Sequence, residues 1–289
     1  MKTLKEYIIE GIFDVEKNVN DDMTSLIKDF LKENYWLGGI GASYDIVKDN
    51  SSKYGHIVNC TGNVYTTNKN MKHLTGRLFE FGVINGDFEC RDTKLLETLD
   101  GAPKEVYKKF IVNFNQSLKS LEGSPQKVGT WFQCFGNGSL YSLVGGPQEV
   151  GEVYACGNSA LKSLKGAPEK LNTSFSCCWC PGLTSLEGAP KEVNGYFDCN
   201  NCKHLKSLKG APKTVKGDFK CNKCESLTDL GGSIKIVDGK FDCSDCDSLK
   251  SLKGAPKNVN GDFDCRGWYS EFTKDDVEKY TNVKGRILV

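Results

Sequence analysis

Aromatic residues recur through most of this chain at a fixed interval. Phe88, Phe110, Phe132, Tyr154, Phe175, Phe197, Phe219, Phe241 and Phe263 follow one another every 22 residues, with one step of 21. Two residues after each comes Cys90, Val112, Cys134, Cys156, Cys177, Cys199, Cys221, Cys243 or Cys265. Two Leu columns follow, from Leu96 to Leu249 and, three residues later, from Leu99 to Leu252. A Gly corner, mostly Gly-Ala-Pro, then recurs from Gly101 to Gly254. The unit reads G-x-F-x-C-x-x-C-x-x-L-x-S-L-x-G-A-P-x-x-V-x.

Each part of the unit has a physical role. The F-x-C step has period two, which points Phe and Cys to one face of a short strand. The Leu columns fall on later sides of the coil and face the same interior. Gly-Ala-Pro turns the chain, because Gly permits unusual dihedrals and Pro fixes its own and removes a donor. One coil cannot bury its Phe and Leu alone, whereas stacked coils bury a continuous core. The expected fold is therefore a repeat solenoid of nine or ten parallel β coils with one parallel sheet. Hydrophobic residues make up 38% of the chain and Gly numbers 31, which suits stacked short segments better than a compact core.

The unit resembles the leucine-rich repeat, L-x-x-L-x-L-x-x-N/C-x-L, with Phe at the fourth position and the first Cys at the sixth. The ladder position is Cys180, Cys202, Cys224 and Cys246, with Asn115 and Asn137 in earlier coils. The resemblance spans about 70% of the chain, residues 62–268, and departs from the family in using Phe and Cys where Leu is usual. In its S-L-x-G-A-P corner the variant is similar to phage-type repeats. The resemblance implies a fold and a binding role, not a ligand.

The ends break the period. Residues 1–36 read as a helical segment and 37–61 as a capping segment, ahead of the solenoid at 62–268 and a C-terminal cap at 269–289. Met23, Ile27, Phe30 and Leu31 recur at helical spacing behind Asn20, so 21–34 reads as an amphipathic helix packed on the open N-terminal end. The first coil is degenerate, with Val64, Thr66, Met71 and Leu74 in the Phe, Cys and Leu columns. At the other end Thr273 and Lys274-Asp275-Asp276-Val277-Glu278 read as an N-cap and an acidic first turn, before a strand-like Arg286–Val289. Both caps are short helices in this reading.

The net charge of +1 supplies no general drive toward nucleic acid or membrane. No apolar run approaches the ~18–20 residues of a transmembrane helix. Glu6 and Glu10 interrupt any signal-peptide core, so the expected compartment is a reducing cytoplasm, where the 14 Cys stay thiols. Cys199-x-x-Cys202 and Cys221-x-x-Cys224 satisfy a zinc-site template, but their spacing is the repeat period, and Cys90, Cys134, Cys156 and Cys265 lack partners. The expectation is buried core thiols, no metal and no cofactor. Gly38–Ser43 is Gly-rich but lacks the Lys-Ser/Thr of a phosphate loop and reads as a turn. His56, His73 and His204 form no catalytic pattern with Cys, and His204 should face solvent. Asp198, Asp242, Asp262 and Asp264 are offset by Lys220 and Lys240, which makes a solvated strand face. The chain reads as a non-enzyme.

What varies is the outward side of the strands. In late coils it is charged, and in the middle coils it carries Ile111, Trp131, Phe135, Val153, Ala155 and Tyr196, with Trp179 nearby. Adjacent strands lie ~4.8 Å apart, so these side chains should form one contiguous patch. Trp and Tyr dominate protein-binding hot spots, and the expected partner is a protein bound through Ile111, Trp131, Phe135, Val153, Trp179 and Tyr196. The N-terminus, Met1-Lys2-Thr3-x-x-Glu6-Tyr7-Ile8-x-Glu10, resembles the capsid-targeting peptide of internal head proteins in T-even-type phages. That likeness implies a host-cell cytoplasmic protein that is also carried in the virion.

Overall fold

The computed structural model describes residues 20–289, with side chains from Met23 onward. The peptide Met1–Glu10 lies outside the described residues. The described chain is a parallel β-solenoid of about 11 turns with a ~22-residue period. Its first rung is the end of strand β2 (His56–Thr66), where Val64 pairs with Phe88. Phe88 pairs with Phe110, Phe110 with Phe132, and so on to Phe263 and Ile287. The aromatic column is buried along its whole length. Its rings stack with centroids 5.1–6.1 Å apart, except Phe132–Tyr154, which meet edge-on at 4.7 Å. Both geometries are favoured for aromatic pairs.

The structure has two rows of strands, not one. The second is built from the V column four residues before each Phe. It begins at β3 (Glu80–Asn85), continues through Glu105–Val106, Lys127–Val128 and Glu149–Val150, and resumes from Lys170–Leu171 to Asn282–Val283. Each later rung is a two-residue pair whose second, apolar residue is buried as far as Val259 and half-buried at Val283. The two rows join at β2, which pairs with both β3 and Phe88–Glu89. The second row breaks between Val150 and Leu171, across the one step of 21 residues.

The cysteines occupy two columns with different work. The first-column thiols, such as Cys177, Cys199 and Cys221, fill the interior behind the Phe rings. Two of them, Cys156 and Cys199, also donate to the Ser176 and Lys220 carbonyls, whereas the ladder thiols donate to the first-column carbonyls of the coil before. Cys202 Sγ reaches Cys177 O at 3.3 Å, Cys224 reaches Cys199 O at 3.4 Å and Cys246 reaches Cys221 O at 3.2 Å. Asn115 does the same to Cys90 O at 3.0 Å, Asn137 to Val112 O at 2.8 Å and Ser159 to Cys134 O at 3.1 Å. The column is thus a ladder of donors that satisfies one buried carbonyl per coil. Burial pushes the ladder thiols up, to about 12 for Cys180 and Cys246, which keeps the proton they donate. All cysteines are free.

Two corners per coil need left-handed backbone. The Gly of Gly-Ala-Pro takes φ near +90, and a Cβ on Gly123 of the Gly-Ser-Pro variant would collide with Leu99 O of the coil before. The second x of C-x-x-C is also left-handed, at Asp92, Phe114, Asn158, Trp179, Asn201, Lys223 and Asp245.

The ends are closed as the sequence suggests. Helix α1 (Asn20–Asn34) buries Ile27, Phe30 and Leu31, with the Phe30 ring edge-on to Phe79 at 6.0 Å. Strand β1 (Tyr35–Lys48) pairs antiparallel with β2. The Gly38–Ser43 run is not the expected turn but an irregularity inside β1, where the register shifts. Gly39 and Gly41 take positive φ there, which absorbs the extra residues without ending the strand. Val64, Thr66, Met71 and Leu74 are buried in the first coil. Helix α2 (Lys274–Glu278) has the capping box of Thr273 and Asp276, and Ile287–Leu288 adds the last rung.

The two Cys columns should respond differently to Val. Cys221→Val keeps an apolar filler and is expected to cost under about 1.5 kcal/mol, as Val112 stands in that column. Cys224→Val strips the donor from Cys199 O and should cost about 1–3 kcal/mol, with Cys224→Asn recovering part of it. Urea denaturation of the three variants checks the order, and equal losses for both Val variants would refute it. Stability should also depend on pH through the thiols. Folded thiols titrate above their ordinary 9.0, so their contribution is complete below pH 9.0 and is lost as pH rises toward about 12. Urea midpoints under reducing conditions should fall across that window, with a shallower slope in Cys221→Val.

Candidate binding interface

The residues flanking each Phe face outward along the first row of strands. In the late coils these are charged and tied to one another. Lys240 Nζ lies 2.9 Å from both Asp242 and Asp264, Arg266 reaches Asp264 at 2.7 Å, and Arg286 reaches Asp262 at 2.8 Å. Asp264 departs from the exposed position expected of it. Its side chain is covered, with Lys240 and Arg266 both bonded to it. Burial alone would raise its pKa, but hydrogen bonds from Arg266 and Lys240 outweigh that and hold it at about 2.

The middle coils differ. Trp131, Val153 and Ser174 lie in register on neighbouring rungs, and Tyr196 occupies the same position on the next. Trp131 is 36% exposed, and Phe135, Val153 and Tyr196 are half-buried. Trp179 is 51% exposed at the left-handed corner of the Ser174–Ser176 coil, its backbone N–H bonded to Asn200 O at 2.9 Å. Ile111 does not belong to this surface. It is 3% exposed, on a rung between Glu89 and Gln133, whose longer side chains flank it. Burial of a β-branched side chain that short is the natural result of long polar neighbours on both sides.

The expected patch is not one continuous aromatic surface but a trough. One wall is Trp131 with Phe135, whose ring lies against Gly157 and edge-on to Phe114 at 5.8 Å. The floor is two coils of small side chains, Val153 and Ala155, then Ser174, Ser176 and Cys178. The other wall is Tyr196 and Asp198, with Trp179 at the corner. Three strand spacings separate the walls, about 14 Å. The Trp131 wall is fixed in place: Lys109 Nζ stands 5.0 Å from the ring centre, and the indole N–H donates to Glu152 at 2.7 Å.

Sequence reasoning missed Phe114, Asp198 as part of the aromatic region, and the Lys109–Glu152 clamp. Phe114 shares a repeat column with Trp179, so aligning that column would have exposed it. The clamp joins residues 43 apart, from Lys109 to Glu152, through Trp131, and no single-coil pattern carries it.

No catalytic arrangement stands out on this face. Cys178 is half-buried, and burial raises its pKa, so it lacks the lowered pKa of a nucleophile. His204 is exposed, with Nδ1 2.7 Å from Pro181 O. Among the described residues, no group of three or more His, Cys, Asp or Glu is placed to hold a metal ion. No helix among the described residues is long and apolar enough to cross a membrane. Comparisons of the chain with protein-family models, curated proteins and solved structures find no match.

Trp179 is costly where it stands, since a left-handed non-Gly residue loses about 1–2 kcal/mol. Asn158 and Asn201 fill the same column in the coils on either side. Trp179→Asn should therefore leave thermal stability equal or raise it by up to about 1 kcal/mol. A drop comparable to that of a core Phe→Ala change would show that Trp179 is structural.

Proposed function

We propose that this protein is a non-enzymatic scaffold that binds a protein partner across the aromatic-walled trough on its first sheet. One observation carries the reading. Large aromatic side chains stand exposed around a small-residue floor, on rungs fixed by a continuous backbone ladder, while the charged coils beside them are internally neutralised. Exposed Trp and half-buried Tyr on a rigid platform are the chemistry of interface anchors. Paired rim charges are worth little to a partner, because they already satisfy one another. The leucine-rich-repeat likeness of the unit agrees with a recognition role. Its S-L-x-G-A-P corner, together with the first ten residues, supports a phage setting in which the scaffold is carried in the virion and acts in the host cytoplasm. Mass spectrometry of purified virions addresses that setting separately.

The test is a pulldown from host lysate, followed by titration of two variant sets against the captured partner. Trp131→Ala, Phe135→Ala and Tyr196→Ala should each weaken binding by about 2 kcal/mol or more. Asp218→Asn, Lys220→Gln and Asp262→Asn should each change it by about 0–1 kcal/mol. Thermal melts should show smaller losses for the aromatic set than for Phe219→Ala. Binding that survives the aromatic set but not the charge set would place recognition on the late coils and refute the reading.

A further inference from the structure

The two walls of the trough carry the same ingredients in different states. On the Trp131 wall the protein supplies its own cation. Lys109 stands over the ring and Glu152 accepts from the indole, so aromatic face, cation and carboxylate are all present. The opposite wall has the aromatic and the carboxylate, but the cation in register beside it, Lys220, forms no ion pair with that carboxylate. Tyr196 and Asp198 sit two residues apart on one rung and face the same way.

Asp198 is a carboxylate on this face to which no lysine or arginine among the described residues is ion-paired. Its carboxylate accepts the Asn200 N–H at 3.0 Å. Among the described residues no Lys or Arg nitrogen forms an ion pair with it, whereas Asp218, Asp242, Asp262 and Asp264 each have one. Lys220, its neighbour in register, lies 3.9 Å from Asp218 instead. Ser176, on the other side, directs its hydroxyl to Cys178 Sγ at 3.4 Å. The carboxyl is half-buried, and burial raises its pKa, with Asp242 adding to the rise and the Asn200 N–H and Lys220 opposing it. A partly dehydrated carboxylate gains most from a cation brought to it.

We propose that this wall receives a lysine or arginine side chain from an extended segment of the partner protein. The segment lies along the small-residue floor, and its cation seats between the Tyr196 ring and the Asp198 carboxylate. The proposal rests on the trough being a protein-binding surface and adds the chemistry of the partner. The floor supports it, since Ser174, Ser176, Ala155 and Gly157 let a main chain approach closely. Cation–π attraction strengthens as water is excluded, which the trough walls promote. An acidic segment would be repelled by the Asp198 and Glu152 carboxylates.

The probes are three labelled decapeptides of alternating residues, Lys-Ala, Glu-Ala and Gln-Ala, followed by anisotropy on the full chain at low salt. Only the lysine peptide should bind. Asp198→Asn should weaken it about fivefold or more, and Tyr196→Ala by a similar factor. Asp262→Asn, which removes an equal charge elsewhere, should change it by less than about twofold. Equal losses in Asp198→Asn and Asp262→Asn would mean diffuse attraction and overturn the proposal. So would binding of the glutamate peptide, or no lysine-dependent binding at millimolar protein. The captured partner separates the two levels. If its binding falls with Trp131→Ala and Tyr196→Ala but not with Asp198→Asn, the scaffold stands and the cation site does not. If neither set matters, the scaffold reading itself has failed.

Discussion

The register of one coil on the next is the constraint on which everything else depends. No coil has an interior of its own. Phe219 is buried because Phe197 and Phe241 stack on its two faces, and each of those depends on its own neighbours. A one-residue slip would turn a strand's inward side chains outward. The chain guards against that with three unlike devices per coil. The stacked rings set the position along the strand, the donor ladder fixes one carbonyl, and the Gly corner brings two backbones within contact. A substitution in one column is thus felt by the coils on both sides, and stability behaves as a sum over neighbours.

This logic explains which features were legible in the sequence. Columns repeat because the interior is the same in every coil, so Phe, Cys and Leu could be read off by alignment. The ladder was legible for the same reason at Asn115, Asn137 and Cys202, which differ chemically but each present a donor, while Ser159, in the short coil, was not read. The Val row was harder. Its rungs are two residues long, and one apolar residue beside one polar residue carries no periodicity of its own. Gly38–Ser43 misled because glycines with positive φ serve a bulge as well as a turn. Ile111 and Asp264 misled for a different reason. Alternation tells which way a side chain starts, but the side chains beside it decide whether water reaches it.

The outward face is where the repeat is free to vary, and the protein uses that freedom unevenly. From Asp218 onward it alternates acids and bases, and the ion pairs run both along and across rungs. Such a surface satisfies itself and offers little to a partner. Between Trp131 and Tyr196 the same positions carry rings and small side chains, with Asp198 unmatched at the border. The left-handed column tells the same story. Most coils put Asn, Asp, Gly or Lys there, which suits a solvent-facing corner, while Phe114 and Trp179 accept strain to place a ring at the surface. A ring placed at such a cost has no core to explain it.

The short coil bears on the same region. One residue is missing after Ser159, and the chain must absorb the deficit somewhere. The Val row absorbs it by breaking between Val150 and Leu171. The Phe row does the opposite. Val153 to Ala155 and Ser174 to Ser176 pair across the deficit without interruption, and these rungs and Trp131–Gln133 are three residues long where the later ones are two. Longer rungs mean more backbone hydrogen bonds beneath the trough floor. Small side chains add little packing of their own, so the backbone has to hold the floor flat and the two walls at a fixed separation. On the proposed reading, a site built this way keeps its geometry before a partner arrives, and less ordering free energy is then lost on association.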